Sequence, residues 1–273
     1  MEELDYQQLS AKIIEWANRI KGWEIEWQTG IYPGEMAAFL GLCDLWGVRS
    51  IVESGRGEHA YSSQILGEYS EQKDVEIVSI DLSPVEGKGF HERLGRYRNM
   101  RYVVGDAFDV LPRAVQGLNG PIALLLDGPK LQPANRLSLV ATMMFDIRVV
   151  AHHNCALSSP WGKEFSRVFP NAFHYEGIGL CTCSEWHEFK QWEAEWVRHY
   201  EMFDEAHGVP GRSLKSSSLA MAFVSPLLRS KRRLLELQGG LPWYHPTWLW
   251  AKWHIAKVWL SFFRRGAEEK LPT

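Results

Sequence analysis

Ser50-Ile51-Val52-Glu53-Ser54-Gly55-Arg56-Gly57 runs from an apolar strand into a glycine turn, with a helix expected over residues 60–68. Three further apolar runs end in or beside an acid. They are Val75-Glu76-Ile77-Val78-Ser79-Ile80-Asp81, Tyr102-Val103-Val104-Gly105-Asp106-Ala107 and Ile122-Ala123-Leu124-Leu125-Leu126-Asp127. Strands alternating with helical stretches predict a parallel sheet. Ligands of open parallel sheets bind beyond the carboxyl ends of the strands, where the winding reverses. Polar groups at four successive strand ends therefore describe a nucleoside-sized pocket.

Gly55 and Gly57 let the backbone turn sharply and approach a ligand closely. The helix after them points unpaired amides at the same place. Gly55-Arg56-Gly57-Glu58-His59-Ala60 also satisfies a dinucleotide fingerprint, with Asp81 at the distance of a ribose-binding acid. Glu53 separates the two readings. A carboxylate facing a pyrophosphate is repelled, whereas one facing a sulfonium or an ammonium is attracted.

These motifs resemble those of the class I S-adenosylmethionine-dependent methyltransferases, over about residues 31–226. Glu53-Ser54-Gly55-Arg56-Gly57 is similar to the family's first motif, an acid followed by alternate glycines. The resemblance implies that Asp81 holds the ribose hydroxyls and that Asp106, with Ala107, meets the edge of the adenine. It also implies that Asp127-Gly128-Pro129 lies beside the reacting methyl. His59 departs from the pattern, standing where many members carry a third glycine.

Outward from these motifs, residues 8–23 read as an amphipathic helix with Ile13, Ile14, Ala17 and Ile20 at helical spacing, and residues 35–46 as a second helix. Residues 148–151 read as the fifth strand, 160–169 as a crossover, 173–183 as the sixth strand and 218–224 as the seventh. An aromatic stripe of Trp186, Phe189, Trp192, Trp196, Tyr200 and Phe203 lies between the last two, with core or lid packing its simplest role. The expected fold is α/β: a Rossmann-like, doubly wound, seven-stranded, mostly parallel sheet with a C-terminal amphipathic helical extension. Residues 1–226 would form the catalytic-type domain, with N-terminal helices over 1–47, and residues 227–273 the extension.

The fifth strand leads into His152-His153-Asn154, beside Asp127. Histidine titrates nearest neutrality, so either ring could serve as the general base for a hydroxyl acceptor. The same positions resemble the divalent-metal site of the catechol-type O-methyltransferases, which implies Asp127, His153 and Asn154 as a ligand set. His153 stands there in place of a second carboxylate, and imidazole suits softer metals than magnesium. Metal site, metal-free base and structural histidine are all open at this point. Arg56 could pair with a cofactor carboxylate or with Glu58, and Lys130 and Arg136 could steer an anionic acceptor.

At 273 residues, with 45% hydrophobic and 23% charged residues, the chain has an ordinary globular composition. Its start, Met1-Glu2-Glu3-Leu4-Asp5, lacks the character of a secretory signal. Cys43, Cys155, Cys181 and Cys183 are too few and too unevenly spaced for a disulfide framework, which favours the cytoplasm. Cys181-x-Cys183 near the two histidines is short for a zinc motif, so buried thiols are the simpler reading.

Residues 227–265 carry eight Lys or Arg against one acid, a local balance of +7 that leaves −10 on the rest of the chain. Five of the 13 tryptophans fall between Trp243 and Trp259, on a stretch expected to be a helix with one broad apolar face. At about 16 residues, roughly 24 Å, such a helix is short for a ~30 Å hydrocarbon core. It suits the interface of an anionic membrane, with docking on its own domain or a homodimer contact as the alternatives.

The expected function is S-adenosylmethionine-dependent O-methylation of a hydroxyl, on a glycan or lipid-linked acceptor at a cytoplasmic membrane surface, with no nucleic-acid partner. Glu53, Gly55, Gly57, Asp81, Asp106 and Ala107 would hold the cofactor; Asp127, His152 and His153 would face the acceptor. An NAD(P)-dependent oxidoreductase is one rival, although Tyr69-x-x-x-Lys73 precedes the second strand and could not supply its catalytic pair. A cofactor-binding but inactive membrane adaptor is the other.

Overall fold

The computed structural model describes residues 6–23, 25, 30–57, 59–83, 93–130, 132–156, 159–169, 172–175, 180–182 and 219–223. The aromatic stripe after residue 183 and the extension from residue 227 lie outside these.

The sheet has β1 (Ser50–Ser54), β2 (Glu76–Asp81), β3 (Met100–Val104), β4 (Ile122–Leu126), β5 (Ile147–His153), β6 (Ala172–Tyr175), β7 (Leu180–Thr182) and β8 (Leu219–Phe223) in the order β3-β2-β1-β4-β5-β8-β6-β7. Strands β3, β2, β1, β4 and β5 pair in parallel, while β8 is antiparallel to both β5 and β6. The expected α/β doubly wound sheet is present. Among the described residues it holds eight strands rather than seven, because the stretch expected as one sixth strand contains two short antiparallel strands, β6 and β7.

Helices cover both faces. On one lie α1 (Tyr6–Gly22), α2 (Pro33–Leu45) and α3 (Tyr61–Lys73), and on the other α4 (Ala107–Val115), α5 (Gln132–Met144) and α6 (Pro160–Val168). In α1 the buried stripe is Leu9, Ile13, Trp16 and Ile20, with Ile14 and Ala17 at its margin, so the face is turned slightly from the one expected. Every residue of α2 from Pro33 to Cys43 is buried, as befits a helix held between α1 and the sheet. Among the described residues no helix is long and apolar enough to cross a membrane.

Side chains of a strand alternate between its faces. In β5, Val149 and Ala151 join the core beneath α1–α3, and Val150 joins the core beneath α4–α6. His152 and His153, consecutive in the same strand, are thereby sent in opposite directions.

Candidate functional site

At the end of β1, Gly55 (φ +91) is required by the neighbouring backbone. A Cβ there would stand 2.6 Å from the Asp127 carbonyl carbon and closer still to the Gly128 nitrogen. Asp127 N and Gly128 N both donate to Ser54 O, at 2.7 and 2.9 Å, and Ser54 Oγ donates to Gly128 O. The first glycine thus lets the end of β4 cross the end of β1. Gly57 (φ +69) is different, since a Cβ there would meet nothing within 4 Å. The space beside it is open. The left-handed residue that starts α3 is Ala60 (φ 50), one place beyond His59, where the resemblance puts a third glycine.

Glu53 is only 1% exposed and does not open onto the edge of the sheet. Its Oε1 accepts from Ser62 Oγ, and its Oε2 from Ser63 Oγ and Ser79 Oγ, all at 2.5 Å. Ser62 and Ser63 lie in the first turn of α3, and Ser79 is the register partner of Glu53 on β2. Arg56, also buried, donates to Ser79 Oγ at 3.2 Å and to Ser83 O at 3.2 Å, so one hydroxyl links the two buried charges. Glu53, read in the sequence as facing a bound cation, is held here by an internal brace of three hydroxyls. A carboxylate removed from water must be hydrogen-bonded, and here the donors come from the protein itself. Arg56 turns inward in the same way, its guanidinium 5.7 Å from the centre of the Tyr102 ring.

Asp81 stays at the edge. Its Oδ2 accepts from Gly57 N at 3.1 Å and its Oδ1 from Ser83 N at 2.8 Å, which locks the glycine turn. A carboxylate has about four acceptor sites, so these bonds leave capacity for a ligand. Asp106 caps α4, accepting from Phe108 N at 3.0 Å, and Ala107 is the buried first residue of that helix. Beside these acids, Leu82 (68% exposed) and Val104 (51%) present apolar surface at the ends of β2 and β3. The sequence does not single out either residue. Their only signal is position, one residue after an acid and two before one.

The fourth acid gathers groups that the sequence reading expects to face an acceptor. Asp127 Oδ1 meets His153 Nδ1 at 2.8 Å, Asn154 Nδ2 at 3.3 Å and Lys130 Nζ at 3.1 Å; its Oδ2 takes none of these. Asn154 reaches in from a left-handed position (φ 59). Burial pushes the Asp127 carboxyl up, but the bond and charge of His153, together with Lys130, hold it below its ordinary value. Burial also opposes a charged His153, and Asp127 and Glu35 overcome this to hold its pKa above the ordinary value. Glu35, wholly buried at the start of α2, places Oε2 3.8 Å from His153 Nε2. The sequence expectation contains no role for it.

Asp127, His153 and Asn154 do not form the metal site considered above. Their donor atoms are directed at one another rather than at a common centre, with Asn154 Nδ2 and His153 Nδ1 2.9 Å apart. Among the described residues no cluster of three or more His, Cys, Asp or Glu could hold a metal ion. His152 is corrected as well. It is wholly buried on the opposite face, where its Nδ1 pairs with Asn135 Oδ1 at 2.9 Å and its ring lies 6.4 Å from that of Phe165. It supports α5 and α6 and lies on the face of the sheet away from His153. A cavity of about 620 Å³ opens at the amino-terminal edge of the sheet, lined by Arg49, Glu76, Arg98, Arg101 and Asn119 among others. It lies at the starts of β1, β2 and β3, at the other end of the strands from Gly57, Asp81 and Asp106.

No family model and no curated protein sequence matches the chain. Solved structures are weakly similar in shape, and three of them serve as examples. An S-adenosylhomocysteine-bound methyltransferase, PaMTH1 of Podospora anserina, shares 11% identity over 80% of this chain and 88% of its own, with a TM-score of 0.38. The O-methyltransferase TomG of Streptomyces achromogenes, solved with S-adenosylmethionine, shares 15% over 82% and 92% (TM-score 0.39). The METTL16 methyltransferase domain shares 12% over 81% and 99% (TM-score 0.40). At this level of likeness the fold stands on its own strand order.

Proposed function

We propose that the chain is an S-adenosylmethionine-dependent O-methyltransferase. One observation carries this reading. The carboxyl ends of β1, β2, β3 and β4 bring Gly57, Asp81, Asp106 and Asp127 to one edge, around the reversal of winding between β1 and β4. That is the position at which an open α/β sheet receives a nucleoside. Open backbone at Gly57, remaining acceptor capacity on Asp81 and exposed apolar surface on Leu82 all suit an adenosine group.

The oxidoreductase alternative fits less well. Dinucleotide folds run 3-2-1-4-5-6, and here antiparallel β8 is wedged between β5 and β6. Tyr69 and Lys73, the only reductase-like pair in the sequence reading, both bond to Asp44 on α2, at 3.2 and 2.9 Å.

When bound, the cofactor would supply an electrophilic methyl carbon on a positively charged sulfur. Asp127 Oδ2 would accept a hydrogen bond from the acceptor hydroxyl and orient its lone pair. As that oxygen gains the methyl its proton becomes strongly acidic, so even a carboxylate held below its usual range can take it. His153 would act beneath Asp127, holding Oδ1 and offsetting its charge, while Asp81 and Asp106 would hold the nucleoside.

The acceptor we infer is a hydroxyl on a glycan or lipid-linked molecule at an anionic membrane surface. The cationic, tryptophan-rich residues 227–265 support it. Calorimetry of the full chain with S-adenosylmethionine, S-adenosylhomocysteine and NAD tests the cofactor. Binding of the first two without NAD is expected, and binding of NAD alone would overturn the proposal. Cofactor binding with no turnover on any hydroxyl acceptor, and no effect of Asp127→Asn, would favour an inactive adaptor.

A further inference from the structure

Glu35 combines two features that helix capping alone does not require. Its Oε2 accepts from Tyr32 N at 2.8 Å, the reach-back bond of a capping box. Such a glutamate normally sits at the surface, yet this one is 0% exposed and lies 3.8 Å from His153 Nε2. That nitrogen is buried without a hydrogen-bond partner, and His153 as a whole is 5% exposed. At 3.8 Å the pair is too long for a hydrogen bond but close enough for a strong electrostatic contact out of water. The other groups around the ring are Asp127 at the end of β4, Lys130 beyond it, and Asn154.

We propose that Glu35 is a positioning residue: it fixes the His153 ring from the side opposite Asp127, so that Asp127 keeps Oδ2 turned toward an acceptor. The proposal rests on the acceptor-side reading of Asp127 given above. It makes α2 part of the site, although that helix precedes every motif recognised in the sequence. A capping role alone needs only an acceptor for Tyr32 N; the role proposed here needs the charge. Higher folded-state basicity of His153 agrees with this, since Glu35 and Asp127 both favour its charged form.

The two roles separate in Glu35→Gln, which keeps an oxygen for Tyr32 N and the side-chain length but loses the charge. The full-length variant is followed by proton–nitrogen NMR of the His153 ring across pH. A fall in its titration midpoint of about one pH unit is expected, with affinity for S-adenosylhomocysteine kept and kcat on a hydroxyl acceptor reduced more than KM is changed. A folded Glu35→Gln protein with the wild-type midpoint would overturn the proposal. If that variant does not fold, Glu35→Asp draws the charge back by one methylene. A smaller fall in the midpoint then supports the role, and an unchanged midpoint refutes it. The NMR readout needs no turnover. A chain that shows the shift but binds no adenosylmethionine therefore refutes the methyltransferase reading without touching the Glu35–His153 contact.

Discussion

Ala60 begins α3 at φ 50, a conformation that costs a residue with a Cβ about 1–2 kcal/mol. Ala60→Gly would relieve that cost but remove a buried methyl group worth about 0.8 kcal/mol and loosen the unfolded chain, so urea or thermal unfolding should show a change of less than about 1 kcal/mol. Ser79 donates to Glu53 Oε2 and accepts from Arg56, so Ser79→Ala strips a partner from two buried charges at once. A loss of about 1–3 kcal/mol is expected, read as a lower denaturation midpoint at unchanged slope. The acid at position 53 stood out in the sequence, but its orientation did not. Its partners come from the next helix and from a strand 26 residues away, and only the β1–β2 register brings Ser79 opposite it. His153 and Asp127 make stability depend on pH. His153 has a folded value above its ordinary 6.5, so its contribution is complete below about that pH and is lost as pH rises through the higher folded value. Asp127 has a folded value below its ordinary 3.8, so its contribution is present above that pH and is lost as pH falls through the lower value. Unfolding curves should show wild-type stability declining above pH 6.5, and His153→Gln should flatten that decline.

Elements decide what each glycine of the turn does. Gly55→Ala would drive a Cβ into the crossing between β1 and β4, where both sides are backbone and neither can yield. Overpacking together with a left-handed φ predicts a loss of about 3 kcal/mol or more. Gly57→Ala meets only the conformational cost, about 1–2 kcal/mol, since the space around it is open. Thermal melts should rank the two in that order, while calorimetry should find adenosylmethionine affinity reduced in the stably folded Gly57→Ala protein. The positions of β1, β2 and β4 were legible because short apolar runs ending in acids have few other uses. The break between β6 and β7 was missed although Gly177 and Gly179 stand between the two strands, a turn signal that reading residues 173–183 as one strand passed over. The two histidines show a limit of a different kind. Ending β5 at residue 151 leaves His152 and His153 as neighbours in a loop, whereas the observed strand reaches His153 and the pleat separates them. Glu35 was invisible for a simpler reason, since nothing in the sequence relates the first turn of α2 to the last residue of β5.

Over the whole molecule, charge is the feature most open to test. Vesicles containing anionic lipid should float the full chain and leave behind a chain ending at Pro226, with the difference shrinking as salt is raised. Equal flotation of both would remove the membrane from the proposed function. The alternation of strands and helices announced the α/β class, but the order of the strands became clear only in three dimensions. In particular, β8 is the last described strand in sequence yet lies inside the sheet, between β5 and β6. This has a consequence for biosynthesis. A ribosome that has released the first 200 residues has exposed one flank of β5 with its hydrogen-bonding groups unmatched, and the hairpin of β6 and β7 has no seat. Such a nascent intermediate is a natural client for chaperones, and closure of the sheet must wait until residue 223 has cleared the exit tunnel.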